Sequence, residues 1–180
     1  MEAKNKKERE IKMPDIKRLA LAAIFSAVSI IGSLYHFPIF GSKCAPVQHM
    51  VNILSAVFLG PYYALASAFC TSVIRNLLGI GTLLAFPGSM PGAFLAGLLY
   101  QRTKTLSFAY LGEIIGTALI GGILSYPIAY FIIGNRDAAI FTFVLPFLIS
   151  TAGGTLIALL ITKTMEKTGM LQGLKKELKA

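Results

Sequence analysis

Apolar stretches follow one another along almost the whole chain, separated only by short segments carrying Gly, Pro and charge. Such a chain has few folding options. Its 180 residues are 55% hydrophobic and only 14% charged, against about 25% charged for an ordinary soluble domain. Too little charge is available to wet a surface, so lipid is the expected solvent for most of the length. The expectation is an all-α integral membrane protein in the cell membrane, a multi-pass bundle of six transmembrane helices with both termini cytoplasmic.

The formal net charge is +9, but the basic residues gather at the two ends and in one short loop. Nucleic acid is the usual partner of a basic protein. Here the distribution fits a cytoplasmic skirt over anionic lipid headgroups instead, with no nucleic acid. Cys44 and Cys70 form no CxxC and no metal spacing, so neither a disulfide framework nor a metal site is expected. The basic N-terminal run before an apolar stretch imitates a signal peptide, but no A-x-A site follows. Lys43, before Cys44, argues against a lipoprotein.

Residues 1–17 read as a charged cytoplasmic tail, 18–163 as a six-helix membrane domain and 164–180 as a basic cytoplasmic tail. The expected spans are Arg18–Tyr35, Val47–Leu59, Tyr62–Leu78, Gly88–Tyr100, Phe108–Ile133 with a bend at Pro127, and Ile140–Thr162. Val47–Leu78 as one helix would be about 48 Å long, too long for a core of ~30 Å, and Gly60-Pro61 marks the turn. Charge tests the count. Six spans with a cytoplasmic N-terminus place fourteen of the seventeen basic residues inside, leaving Lys43, Arg75 and Arg136 outside. Merging the second and third helices splits the same residues nine to eight, which is no bias.

Lipid gives helices no hydrophobic reason to associate, so close backbone approach matters. Small residues recur at four-residue spacing: Ala64 and Ala68, then Gly88, Gly92 and Ala96, then Gly112 and Gly116. These read as internal packing. The first helix carries a broader small surface, Ala20, Ala22, Ala23, Ser26 and Ala27, which offers a dock for another membrane subunit.

No GxxxxGK[ST], HExxH or GxSxG is present, so neither ATP hydrolysis nor these enzyme chemistries are expected of the chain, and no cofactor. The polar residues that enter the spans cluster instead. Gln48, His49 and Asn52 share a helix face by their spacing. Arg75 and Asn76 end the third helix, and Thr82 and Ser89 flank the following loop. Polar groups in lipid are costly and face a cavity or a partner, which points to a small-molecule pocket. Arg75 and Lys43 have an alternative, since long side chains near a span end reach interfacial water. Tyr126 is the ring best placed for stacking, and Ser150 with Thr151 offers hydroxyls, which can equally bond back to their own helix. Ser89 reads as an N-cap with Pro91 in the first turn. Glu113, the one acid in an expected span, reads as lying far from this cluster and as a partner for Lys163, Arg102 or Lys104.

Lys43-Cys44-Ala45-Pro46-Val47-Gln48-His49 resembles the S components of energy-coupling factor (ECF) transporters, specifically the ThiW type. So do Gly60-Pro61, Arg75-Asn76, Gly81-Thr82, Phe86-Pro87-Gly88-Ser89, Gly112-Glu113 and Ser125-Tyr126-Pro127. The resemblance covers about residues 17 to 163. It implies a six-helix subunit that captures a vitamin precursor at the outer face, for the ThiW type the thiamine precursor hydroxyethylthiazole. It further implies a transmembrane coupling subunit and two cytoplasmic ATPases as partners. The Ala-x-x-x-Ala motif that meets the coupling subunit in such proteins is matched by Ala23 and Ala27, with Ala22 and Ser26 as a competing register. The residues expected to bind substrate are Gln48, His49, Asn52, Arg75, Asn76, Thr82, Ser89, Tyr126 and Ser150. A neutral thiazole alcohol would need an aromatic face and a few hydrogen-bonding groups rather than a counter-charge. The competing reading, a self-sufficient secondary transporter of a small neutral or aromatic solute, favours internal repeats and intramembrane ionisable pairs.

Overall fold

A computed structural model describes residues 16–39 and 42–178. The charged tail expected over residues 1–17 lies, through residue 15, outside the described residues. The order is α1 (Ile16–Gly32), a hairpin of β1 (Phe37–Ile39) and β2 (Ser42–Cys44), α2 (Pro46–Leu59), α3 (Pro61–Leu77), a 3₁₀ turn (Leu83–Ala85), and α4 (Met90–Thr103). One continuous helix, α5 (Leu106–Ile133), follows, then α6 (Val144–Lys167) and α7 (Met170–Glu177). Among the described residues, three helical stretches are long and apolar enough to cross a membrane: Leu83–Thr103, Leu106–Ile133 and Val144–Lys167.

The fold centres on α2. Eleven of its fourteen residues are buried, so the other helices pack around it rather than beside it. At about 21 Å it is short for a crossing. It ends at Gly60, whose φ of 85° is open to glycine and strained for other residues. Pro61 then starts α3, where its missing N–H costs nothing. The chain reverses here, because Gln48 at the start of α2 meets Arg75 at the end of α3.

Small residues let the helices touch at the backbone. A Cβ on Gly112 would lie 2.6 Å from the Ala96 Cα, and one on Gly116 would lie 2.6 Å from the Gly92 Cα. The four-residue repeats of α4 and α5 therefore face each other. Ala64, Ala68, Ala93 and Ala96 form a second such contact between α3 and α4. The outer surface carries large apolar side chains such as Ile24, Phe131, Leu156 and Leu160. A water-facing protein rarely exposes so many, and a lipid-facing one needs them.

Several boundaries differ from the sequence reading. The segment 36–46 contains the hairpin, with Phe37 opposite Cys44, instead of a plain loop. The first helix stops at Gly32, short of the expected Tyr35, and passes so close to α2 there that a Cβ would strike the Val47 side chain. The fourth runs on to Thr103 and ends at Lys104 in the left-handed region, shrinking the expected 101–107 connection. The sixth starts later and reaches Lys167. Pro127 does not break α5. Instead the helix widens to π pitch over Ile115–Gly121 and again over Ile128–Ile133, directly after the proline.

Basic residues frame one end of the bundle. Lys17 and Arg18 donate to the carbonyls of Glu177 and Leu178, and Lys175 meets Tyr100, its ammonium 4.4 Å from the ring centre. The start of α1, the end of α4 and α7 thus share this end.

Gly116→Ala should lower the melting temperature of the detergent-solubilised protein, by an overpacking cost of about 1–3 kcal/mol. Gly173→Ala, where a Cβ meets nothing within 4 Å, should not lower it. Equal behaviour of the two variants in a thermal melt would rule out the α4–α5 contact.

Candidate functional site

At the end of the bundle away from Lys17 and Lys175, a cavity of about 160 Å³ opens between the hairpin, α2, α3, the 82–88 segment, α5 and α6. It is below the roughly 300–1,000 Å³ typical of drug-sized ligands, which fits one small ring with a short arm. Gln48, His49 and Arg75 supply its polar wall, with Lys43, Thr82 and Ser150; Phe143 and Phe147 supply an aromatic wall.

Each wall has a local cause. Ala45 N–H donates to Ser150 Oγ at 2.9 Å, and Cys44 Sγ lies 3.4 Å from the Pro146 carbonyl. These contacts fasten strand β2 to α6 and fix the start of α2. A Cβ on Gly154 would come within 2.6 Å of the His49 Cβ, so α6 passes directly over the histidine. A Cβ on Gly88 would lie 2.9 Å from the Phe147 ring, which lets that ring reach the cavity.

Behind His49 sits Glu113, 0% exposed. One carboxylate oxygen, Oε1, accepts from Asn52 Nδ2 at 2.9 Å and from Thr117 Oγ1 at 3.2 Å, and lies 2.9 Å from His49 Nδ1. An oxygen surrounded this way takes the Nδ1 proton as a third donor. The pairing sets the imidazole tautomer and leaves Nε2 as the ring nitrogen with no partner among the described residues. Gly92 makes the space: a Cβ there would fall 2.1 Å from Thr117 Oγ1 and 2.8 Å from Glu113 Oε2.

One expectation, for Glu113, and one alternative, for Arg75, are overturned. Glu113 is not remote from the polar cluster and pairs with none of Lys163, Arg102 or Lys104. It lies about seven residues into a long helix, and α2 carries His49 and Asn52 deep enough to meet it. Arg75 does not reach for interfacial water. It is 3% exposed and donates to Gln48 Oε1, because the α2–α3 reversal turns its stem inward.

The other expected site residues divide. Gln48, His49, Arg75, Thr82 and Ser150 line the cavity. Asn52 stands one turn behind, donating to Glu113 and, at 3.3 Å, to the Ser89 carbonyl. Asn76 Nδ2 donates to the carbonyls of Ser72 and Thr82 at 2.8 and 3.0 Å, holding the loop. Ser89 occupies the N-cap position without the cap bond, its hydroxyl donating back to Ala85 at 2.8 Å. Tyr126 lies outside the lining, packed near Phe143 and Phe147 and 5.7 Å from the Tyr130 ring. The two phenylalanines went unnoticed because nothing separates them in sequence from lipid-facing aromatics. Ser150 bonds to Ala45 rather than to its own helix.

A family model described as thiamine-precursor transporter protein (ThiW) matches residues 19–168. The chain belongs to the ThiW family. It is accordingly a multi-pass membrane protein of a transporter family, and its matched region takes in every wall of the cavity. No curated protein matches the chain at a significant level. Within this ThiW chain the competing small-residue registers of α1 separate cleanly. Ala22 and Ser26 are buried, with Ser26 Oγ 2.8 Å from Ser67 Oγ, whereas Ala23 and Ala27 are exposed.

Glu113→Ala should strip a shared acceptor from three buried donors and destabilise the protein by about 3–5 kcal/mol. Glu113→Gln keeps the shape and an acceptor, and should melt between the two. The order of the three melting temperatures in one detergent checks it, and an unchanged Glu113→Ala would remove the carboxylate from its assigned role.

Proposed function

We propose that this ThiW chain is the substrate-binding S component of an ECF-type importer, capturing hydroxyethylthiazole at the outer face. A transmembrane coupling subunit and two cytoplasmic ATPases would supply the energy. The observation that carries this reading is the small cavity at the end of the bundle opposite the basic one. Six crossings with both termini inside put that cavity outside and the basic residues on the cytoplasmic leaflet, as the charge rule asks.

The cavity's chemistry supports the substrate. Phe143 and Phe147 give a ring a flat apolar neighbour. His49 Nε2 and the Ser150 and Thr82 hydroxyls give a short polar arm its partners. The chain holds no nucleotide-binding loop, so a separate ATPase fits. The outward Ala23 and Ala27 provide a smooth strip on α1 where another membrane helix can approach closely, while Ala22 and Ser26 are already used internally.

Uptake of labelled hydroxyethylthiazole by cells should require this chain, the coupling subunit and both ATPases together. Purified chain alone in liposomes should bind the precursor and not accumulate it. Accumulation driven by an ion gradient in those liposomes would favour the secondary transporter. Ala23→Leu and Ala27→Leu should abolish uptake while leaving precursor affinity within twofold.

Topology has its own check. Cysteines introduced at Arg136 and Thr103 should react in intact cells with a membrane-impermeant maleimide only at position 136. Labelling at 103 alone would reverse the orientation and remove the outer-face assignment.

A further inference from the structure

The cavity holds more cationic character than a neutral thiazole alcohol needs. Its lining includes the cations Lys43 and Arg75 and no acid. Glu113 touches the cavity only through His49, whose Nδ1 it already engages. Arg75 is 3% exposed, and no carboxylate lies within ion-pair distance of it among the described residues. Among the described residues its one side-chain partner is the neutral Gln48 oxygen. A buried guanidinium without a counter-charge is costly in a membrane protein, and is retained where it meets something outside the chain.

Among the buried atoms without a partner, the two that belong to residues lining the cavity agree in sign; Glu113 Oε2, also unpartnered, lies behind His49 and outside the lining. Arg75 Nε and Gln48 Nε2 are both buried, both without a hydrogen-bond partner, and both donors. Lys43, exposed at the mouth, makes one hydrogen bond among the described residues, to the Ile80 carbonyl at 3.2 Å. Three donors from three segments thus surround one cavity whose other wall is phenylalanine. A planar, forked guanidinium is the group best matched to a carboxylate or a phosphate.

We propose that the cavity selects a single-ring ligand carrying an anionic arm, phosphate or carboxylate, held by Arg75, Gln48 and Lys43 with the ring against Phe143 and Phe147. This rests on the thiazole reading and sharpens it: the preferred precursor is an acidic form of the thiazole rather than the free alcohol. Lys43 draws the anion to the mouth, and Arg75 with Gln48 binds it inside.

Calorimetry on the purified chain in detergent tests this with three ligands sharing one ring: hydroxyethylthiazole, its phosphate ester, and the analogue with a carboxylate on the arm. At least one acid should bind tenfold or more tighter than the alcohol, and which one does names the anion. The preference should vanish in Arg75→Gln and shrink in Lys43→Gln, an exposed position that serves if the first variant fails to fold. An alcohol that binds as tightly as both acids overturns the anion assignment and leaves the thiazole reading intact. A preference that survives in the variants overturns it as well. If none of the three binds, the thiazole reading falls. The anion assignment then stands only if inorganic phosphate raises the melting temperature of the wild type and not of Arg75→Gln, and a null result there overturns it too.

Discussion

A carboxylate closed off from water sits between α2 and α5, and the architecture follows from bringing three donors to one of its oxygens, Oε1, while Oε2 has no partner among the described residues. A charge in the low-dielectric interior is tolerated only with donors arranged around it. Here they come from three positions, His49, Asn52 and Thr117. Two lie on the short central helix and one lies a turn further along α5. Their meeting sets the depth of α2, the rotation of α5 and the close pass of α4, where Gly92 leaves the room the carboxylate occupies.

That arrangement also produces the cavity. With Nδ1 committed to Glu113, His49 lines the cavity with its other ring nitrogen left without a partner among the described residues. The hairpin is tied to α6 through Ala45 and Ser150, and Arg75 is turned inward by the reversal at Gly60. Each wall is therefore held by something outside the cavity. Such support lets a small site keep its shape before a ligand arrives, and preorganisation of this kind lowers the cost of binding.

Much of this was legible in the sequence, and the limits have physical causes. The helical segments followed from apolar length and from Gly-Pro breaks, and the α4–α5 contact from glycines four residues apart. Gln48, His49 and Asn52 could be placed on one face because helical spacing is a local property. Glu113 could not, because its partners His49 and Asn52 lie more than sixty residues away in sequence and no local pattern encodes depth. Phe143 and Phe147 were hidden among many aromatics, since lipid and a ligand cavity both accept a phenyl ring. The inward turn of Arg75 depended on a reversal whose angle glycine leaves open. The hairpin escaped because three-residue strands leave almost no alternation to read.

The widened turns of α5 carry a consequence for how this protein can vary over time. A π segment accommodates an extra residue within an otherwise α-helical rod. Removing one residue between Ile115 and Gly121 would return that stretch to ordinary pitch and leave what lies beyond it nearly in phase, whereas removing one from the α-helical stretch Gly122–Pro127 would swing everything beyond it by about 100°. Ala129 and Ile133, which face the cavity, would then point into lipid, while Glu113 upstream would stay where it is. Length is thus under tighter constraint in the α-helical turns of this rod than in its widened ones, which can give up a residue and keep the cavity-facing side chains in place.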